Sequence, residues 1–482
     1  MIRLTLLWIF VAFIAAYAWR DWYKALCGLI LLMAVVEHPD LPKSIMGIQG
    51  LNPWNLLLLA IGMAWAWKRH QEGLHWDIPG KVTLLLLIYF GIVIIGFYRL
   101  MTDLSGIYEW AYLHRKEPPS TGNLWGENLI NVLKWVIPGL LLYDGCRDRQ
   151  RFLWGVTALL GIYFLLAVQI IRWMPLEMLG GGSDLEARSG KILLNEIGYH
   201  RVNMAMLMAG GAWAIYAAKA LFEKRLYIWL VIGASAATVF ALALTGGRTG
   251  YATWAVIGVA LSLLRWRKFL ILGPAIAAAV LLLVPAAQER MLQGMNPDEY
   301  QPRVHGPVSP SPDEPDLYTV TAGRNIAWPV IIDKIMEAPW VGYGREAMQR
   351  TGLAAILWSD YGESFPHPHN AYLQWLLDNG LLGFIPVILF YLLMLSYSMS
   401  LFRDSRDKIF VAIGGIALAL LLALLAASVG SQSFYPREGA VGMWCAIGLM
   451  LRVYVERARQ FADAPVEDLD SVSGSQLWGK PA

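Results

Sequence analysis

The chain has 482 residues, of which 57% are hydrophobic and only 16% charged, with a net charge of +3. So apolar a composition excludes a soluble multidomain enzyme, and the small net charge does not point to nucleic acid as a partner. What remains is an all-α polytopic membrane protein.

In chain order, apolar runs predict spans near 4–18, 23–36, 51–67, 80–100, 127–145, 151–172, 203–222, 226–245, 250–264, 267–287, 384–402, 408–430 and 438–454. That is about 12–13 transmembrane helices, each taking about 20 apolar residues because backbone polar groups in hydrocarbon must bond within the segment. The opening "MIRLTLLWIFVAFIAAYAWR" also fits a signal peptide, with Ala16 and Ala18 as an A-x-A-like site, but Arg3 alone supplies the charged region such a peptide needs. Cys27, Cys146 and Cys445 lie in or beside predicted spans without metal-ligand spacing and read as packing residues.

Basic residues cluster in alternate short connections: Arg20 and Lys24; Lys68, Arg69 and Lys81; Arg147, Arg149 and Arg151; Lys219, Lys224 and Arg225; Arg265, Arg267 and Lys268; Arg403, Arg406 and Lys408. By the positive-inside rule these face the cytoplasm, and parity puts the polar tail after Arg457 on the same side as a disordered end. The other connections face outward: 101–126, 173–202, 245–250 and a large loop from about 288. Arg99, Arg115, Lys116, Arg172, Arg188, Lys191 and Arg201 are outward charges that run against the rule. The expected organisation is thus N-terminal spans over 1–287, a large outer loop over 288–383, C-terminal spans over 384–454 and a tail over 455–482. Within the loop, "MNPDEYQPRVHGPVSPSPDEPDLYTV" is proline-rich and acidic, and "AGRNIAWPVIIDKIMEAPWVGYG" predicts an amphipathic helix near the membrane surface.

Parity brings Arg188, Arg248, Arg324 and His369 to one face. Arg248 follows Gly246 and Gly247 at a helix-to-helix turn, where small residues admit a phosphate or a neighbouring backbone. Its guanidinium suits bidentate phosphate binding, and snorkelling to outer headgroups is the competing reading. Arg324 heads the amphipathic segment, where it is also compatible with an ordinary solvated position. Lys134 lies inside the expected span 127–145, where a central charge costs roughly 2.5–3.5 kcal/mol. It reads either as snorkelling or as a phosphate contact.

The stretch "PHPHNAY" at 366–372 admits three readings. Zinc would need ligands besides His367 and His369; Asp360 and Glu363 are near, without a metal spacing. The histidines could be inert loop residues. In the third reading Asn370 caps the helix "AYLQWLLDNGLLG", which leaves His369 at a helix N-terminus whose positive dipole end disfavours imidazolium. A neutral ring there can accept a proton from a hydroxyl nucleophile.

His369 and Asn370, then nine residues, then Gly380, two leucines and Gly383 resemble the His-Asn, nine, Gly-x-x-Gly motif of the O-antigen ligase and polymerase superfamily. The stretch "AGRNIAWPVIIDKIMEAPWVGYG" is similar to the family segment that precedes the histidine, and "LTGGRTGYATW" to its Ser-Arg-Gly segment. Gly247 stands where the family often has serine, and Phe384 where threonine is usual.

The resemblance implies a glycosyltransferase of the inner membrane. It would move a glycan with inversion, without metal or cofactor, from undecaprenyl pyrophosphate to a lipid- or glycan-linked acceptor hydroxyl at the periplasmic face. Carried over, Arg248 and Arg324 would stabilise the departing pyrophosphate, His369 would orient or deprotonate the acceptor, and Arg188 would bind donor or acceptor; Asn370, His367 and Lys134 are further candidates for substrate binding. The identified residues do not separate a ligase from a repeat-unit polymerase. A transporter or flippase is the alternative from a different class, disfavoured because polar residues collect at one face rather than the midplane.

Overall fold

The structure, a computed structural model, describes residues 2–45, 48–73, 75–180, 185–293, 295, 317–362, 364–430 and 432–462. The proline-rich acidic stretch from 296 to 316 and the tail from 463 onward, both singled out in the sequence, lie outside these residues, as does Glu363. Among the described residues the protein is all-α apart from a pair of two-residue antiparallel strands, Ser44–Ile45 and Ile48–Gln49.

In chain order the helices that matter here are α1 (Ile2–Ala18), α2 (Trp22–Leu32), α3 (Pro53–Glu72), α4 (Gly80–Thr102), α5 (Ile137–Gly145), α6 (Arg149–Trp173), α7 (Leu185–Ile192) and α8 (Arg201–Ala218). They continue with α9 (Arg225–Leu244), α10 (Arg248–Leu264), α11 (Phe269–Leu283), α12 (Pro285–Leu292), α13 (Arg324–Glu337), α14 (Ala371–Arg403), α15 (Lys408–Ala427) and α16 (Val441–Ala462). Short polar side chains start many of them. Asp21, Asn52, Asp148, Asn370 and Asp407 each accept a hydrogen bond from a first-turn N–H, and Pro53 follows its cap where a missing N–H costs nothing.

Among the described residues seven helices are long and apolar enough to cross a membrane, and an eighth if α11 and α12 count as one bent span. The 12–13 expected spans are therefore not all continuous crossings, and prolines account for two of the breaks. The run expected over 127–145 is a π turn at Gly126–Ile130, one helical turn ending at Lys134, and then α5. Pro138 has no N–H to bond the Lys134 carbonyl four residues back, and its ring clashes with it. The run expected over 267–287 bends by 106° between Leu283 and Pro285, with the intervening Val284 pushed to φ −130°, ψ 73°.

The core is the pair α8 and α15, flanked by α9, α14 and α16. Small residues let their backbones approach: a Cβ on Gly210 of α8 would lie 2.7 Å from the Cβ of Ala423 in α15. A second, smaller core lies outside this bundle, where Ala327, Ile331 and Ile335 of α13 meet Leu353, Leu357, Phe365 and Leu377.

The basic connections share one end of the bundle. Asp77 binds Arg452 at 2.7 Å and Arg459 at 2.8 Å, and Asp144 binds Arg69 and Arg147. Arg457 reaches Asp404 at 2.9 Å, Arg265 reaches Ser405 at 3.1 Å, and Lys408 pairs with Glu223 at 2.7 Å. These bonds stitch together the loops read from the sequence as lying on one side. The segments carrying Arg248, Arg324 and His369 are at the opposite helix ends.

Candidate active site

Asn370 caps α14, its Oδ1 accepting from the Tyr372 N–H at 2.9 Å and the Leu373 N–H at 3.2 Å. His369, immediately before it, adopts the left-handed backbone region at φ 52°, a strained choice for a residue other than glycine. Its neighbour Pro368 is held by the indole of Trp328, which donates to the Pro368 carbonyl at 3.0 Å, tying α13 to the histidine loop. The His369 ring stands edge-on to Phe365 and 4.2 Å from the ring of His367, centroid to centroid.

Partial burial pushes the His369 imidazole down to about 3, with the charges of His367, Arg324 and His200 adding to the fall. His367 is pushed down to about 4 by burial first, then by Arg437, Arg345 and His200. The neutral ring expected at a helix start is present, but its leading cause is desolvation rather than a dipole. Among the described residues no group of three His, Cys, Asp or Glu comes together to hold a metal ion.

The glycines of the His-Asn motif do a different job. At Gly380 the backbone takes φ 59° and ψ −169°, a combination open essentially to glycine, and α14 breaks there. The turn after α13 inserts into the break. Leu381 and Leu382 donate to the carbonyls of Pro339 and Trp340 at 2.8 and 3.0 Å, while Tyr343 and Gly344 donate to those of Leu377 and Asp378 at 2.8 and 2.6 Å. A Cβ on Gly380 would meet the Trp340 carbonyl carbon at 2.3 Å, and one on Gly342 the Leu377 oxygen at 2.6 Å.

Beneath this splice lies a buried polar network that sequence reading missed. Arg345, 4% exposed, sits 3.6 Å over the Tyr435 ring, donates to Asn128 at 3.0 Å and faces Asp378 at 3.7 Å. Asp378 accepts from the Tyr435 hydroxyl at 3.0 Å and the Ala347 N–H at 3.1 Å.

The arginines form the other half of the site. Arg248 opens α10 after the Gly246–Gly247 turn and donates to the carbonyls of Gln293 at 3.1 Å and Thr319 at 2.8 Å. Arg324 opens α13 and donates to the carbonyls of Thr321 at 3.2 Å and Gly430 at 3.4 Å. Gly430 itself packs on Thr249, beside Arg248, so the two arginines flank one contact. The charge of Arg248 acts on Arg324, whose pKa falls chiefly through burial. Arg324 in turn acts on His369, and the three residues form one electrostatically coupled group.

Other residues are placed differently. Arg188 is on the exposed side of α7, whose Ser189 donates to the Thr245 carbonyl at 3.0 Å. Lys134 donates to Asn55 at 3.1 Å and lies 4.2 Å from the Trp135 ring, within electrostatic reach of Glu37 and Glu438. The Arg437–Glu438 turn lies between His367 and Lys134, since Arg437 acts on the former and Glu438 on the latter. At the Gly246 turn the structure places Arg201 and Arg290 beside Arg248 instead. Arg201 was visible only as one of several outward charges. Arg290, in "AAQERML", carried no signal, because only the bend at Pro285 turns it toward Gly246.

Compared with known proteins, residues 233–388 match the family model described as O-antigen ligase. The matched segment contains Arg248, Arg324, His367, His369 and Asn370, and ends within α14. A search of curated proteins found no match.

Proposed function

We propose a ligase reaction for this all-α, multi-pass membrane protein, whose residues 233–388 match the family model described as O-antigen ligase. It moves a glycan from undecaprenyl pyrophosphate to a hydroxyl of a lipid A core, polysaccharide or other acceptor, at the periplasmic face of the bacterial inner membrane. The observation that carries this reading is the coupled group of a neutral, strained His369 with Arg324 and Arg248 at one end of the bundle.

The acceptor oxygen attacks the anomeric carbon as its proton passes to His369. The bond from that carbon to the diphosphate oxygen breaks, and the departing undecaprenyl pyrophosphate takes up negative charge. Arg248 and Arg324, anchored by backbone carbonyls, stabilise that charge where it develops. A single displacement inverts the anomeric centre, and no metal ion takes part.

Lipid-linked glycan, acceptor and purified protein in proteoliposomes test the reading. His369→Ala, Arg248→Ala and Arg324→Ala should each lower transfer by a factor of about 10² or more. His367→Ala should be milder, and full activity of the His369 variant removes its assigned role. Chelator should leave the wild-type rate unchanged. Loss of the protein from cells should leave long polymer made but unattached. Accumulation of single repeat units would identify a polymerase, and absence of any new glycosidic product in proteoliposomes would favour transport.

A further inference from the structure

We infer that Arg201 and Arg290, held by Glu186, complete with Arg248 a binding site for the diphosphate of the donor at the Gly246–Gly247 turn. Arg201 donates to the Gly246 carbonyl at 3.2 Å, and Arg290 donates to the same oxygen at 3.4 Å. Glu186 of α7 bridges them, one carboxylate oxygen on Arg201 and the other 2.5 Å from Arg290. Arg290 also holds the side-chain oxygen of Gln293, whose backbone carbonyl Arg248 holds, so the arginines grip one residue from two sides.

Among the described residues two guanidinium groups thus pair with one carboxylate and a third, Arg248, lies within its electrostatic reach, so positive charge is in local excess. Arg290 is 8% exposed, so little water is there to carry that excess. A lipid-linked diphosphate diester carries two negative charges on oxygens that accept the paired N–H groups of arginine. The glycines of the turn let α7 and α8 pack against it, which holds the Gly246 carbonyl and its two arginines in place. Gly246 is left-handed at φ 65°, and Gly247 lies so close to α8 that a Cβ would meet that of Ala205 at 2.6 Å. Arg201 and Arg290 therefore bind, and Glu186 positions them.

The inference rests on the proposed lipid-diphosphate donor, but its test does not need transfer. Binding of inorganic pyrophosphate to the full-length protein in detergent is measured by calorimetry, alongside the proteoliposome assay. Wild type should bind, and Arg201→Gln and Arg290→Gln should each weaken binding about tenfold. Lys191→Gln, exposed on the same helix, should bind as wild type. Glu186→Gln removes the competing negative charge at constant size and should tighten binding.

A purely structural ion pair predicts instead that these variants melt earlier while pyrophosphate affinity stays unchanged, and that result overturns the inference. So does failure of wild type to bind. If an arginine variant does not fold, Glu186→Gln decides: tighter binding supports the site, and unchanged or weaker binding removes it. Pyrophosphate binding with the expected pattern but no glycan transfer would remove the proposed reaction and leave the anion site. Transfer with pyrophosphate affinity indifferent to Arg201 and Arg290 would do the reverse.

Discussion

His369 raises a chemical question at the scale of one residue. A base whose conjugate acid is pushed down to about 3 is neutral throughout the physiological range, yet it is a weak proton acceptor. On the proposed reaction, the negative charge of the donor near Arg324 opposes the electrostatic part of this lowering and so shifts the His369 pKa upward. The sign is definite: the ring is active above its pKa and lost as pH falls through it. The acid limb of kcat, which reports the substrate-bound protein, should therefore lie at higher pH than the acid limb of kcat/KM, which reports the free protein. Coincident limbs in rate profiles between pH 4 and 8 would remove this coupling. That Asn370 caps a helix behind His369 could be read locally, because capping needs only adjacent residues. The strained backbone and the nearness of Arg324, His367 and His200 to the ring could not.

At the scale of elements, the Gly-x-x-Gly motif is architectural. The chain from Pro339 to Gly344 pairs with the break in α14 through four backbone hydrogen bonds, and this fit leaves no volume for side chains at 342 and 380. Spacing alone suggested glycines that interrupt a helix; what fills the interruption arrives from 40 residues upstream. Gly380→Ala should cost on the order of 3 kcal/mol, since it combines a forbidden backbone angle with a clash against the Trp340 carbonyl. Gly62→Ala, inside α3 with nothing near its added Cβ, should be neutral or stabilising by up to about 1 kcal/mol. Thermal unfolding of both variants in detergent checks the contrast, and equal melting shifts would contradict the splice. The same break sets Asp378 against Arg345, so a buried ion network and a helix interruption are one construction. No local pattern in "DNGLLG" reports that pairing.

At the scale of the whole molecule, charge and hydropathy organise the bundle. The loops rich in Lys and Arg meet at one end through Asp77, Asp144 and Asp404, while the coupled arginines and His369 occupy the other. All three cysteines are buried, so single cysteines introduced at exposed sites report sidedness against a quiet background. In intact cells an impermeant thiol reagent should label Ser359→Cys, on the helix Leu353–Tyr361 proposed to face outward, and spare Gln71→Cys, at the basic end of α3. The opposite pattern would invert the proposed orientation.

The all-α class, the alternation of basic loops and the capped helix after His369 came from the sequence alone. Each depends on composition, on period or on residues a few positions apart, which the one-dimensional order preserves. The tertiary structure decided which apolar runs are unbroken helices, because a bend at Pro285 or a stop before Pro138 takes its direction from packing. It also decided which charges meet. Glu186, Arg201, Arg248 and Arg290 come from four different helices, and their ion pairs exist only where the fold brings those helix ends within a few ångströms.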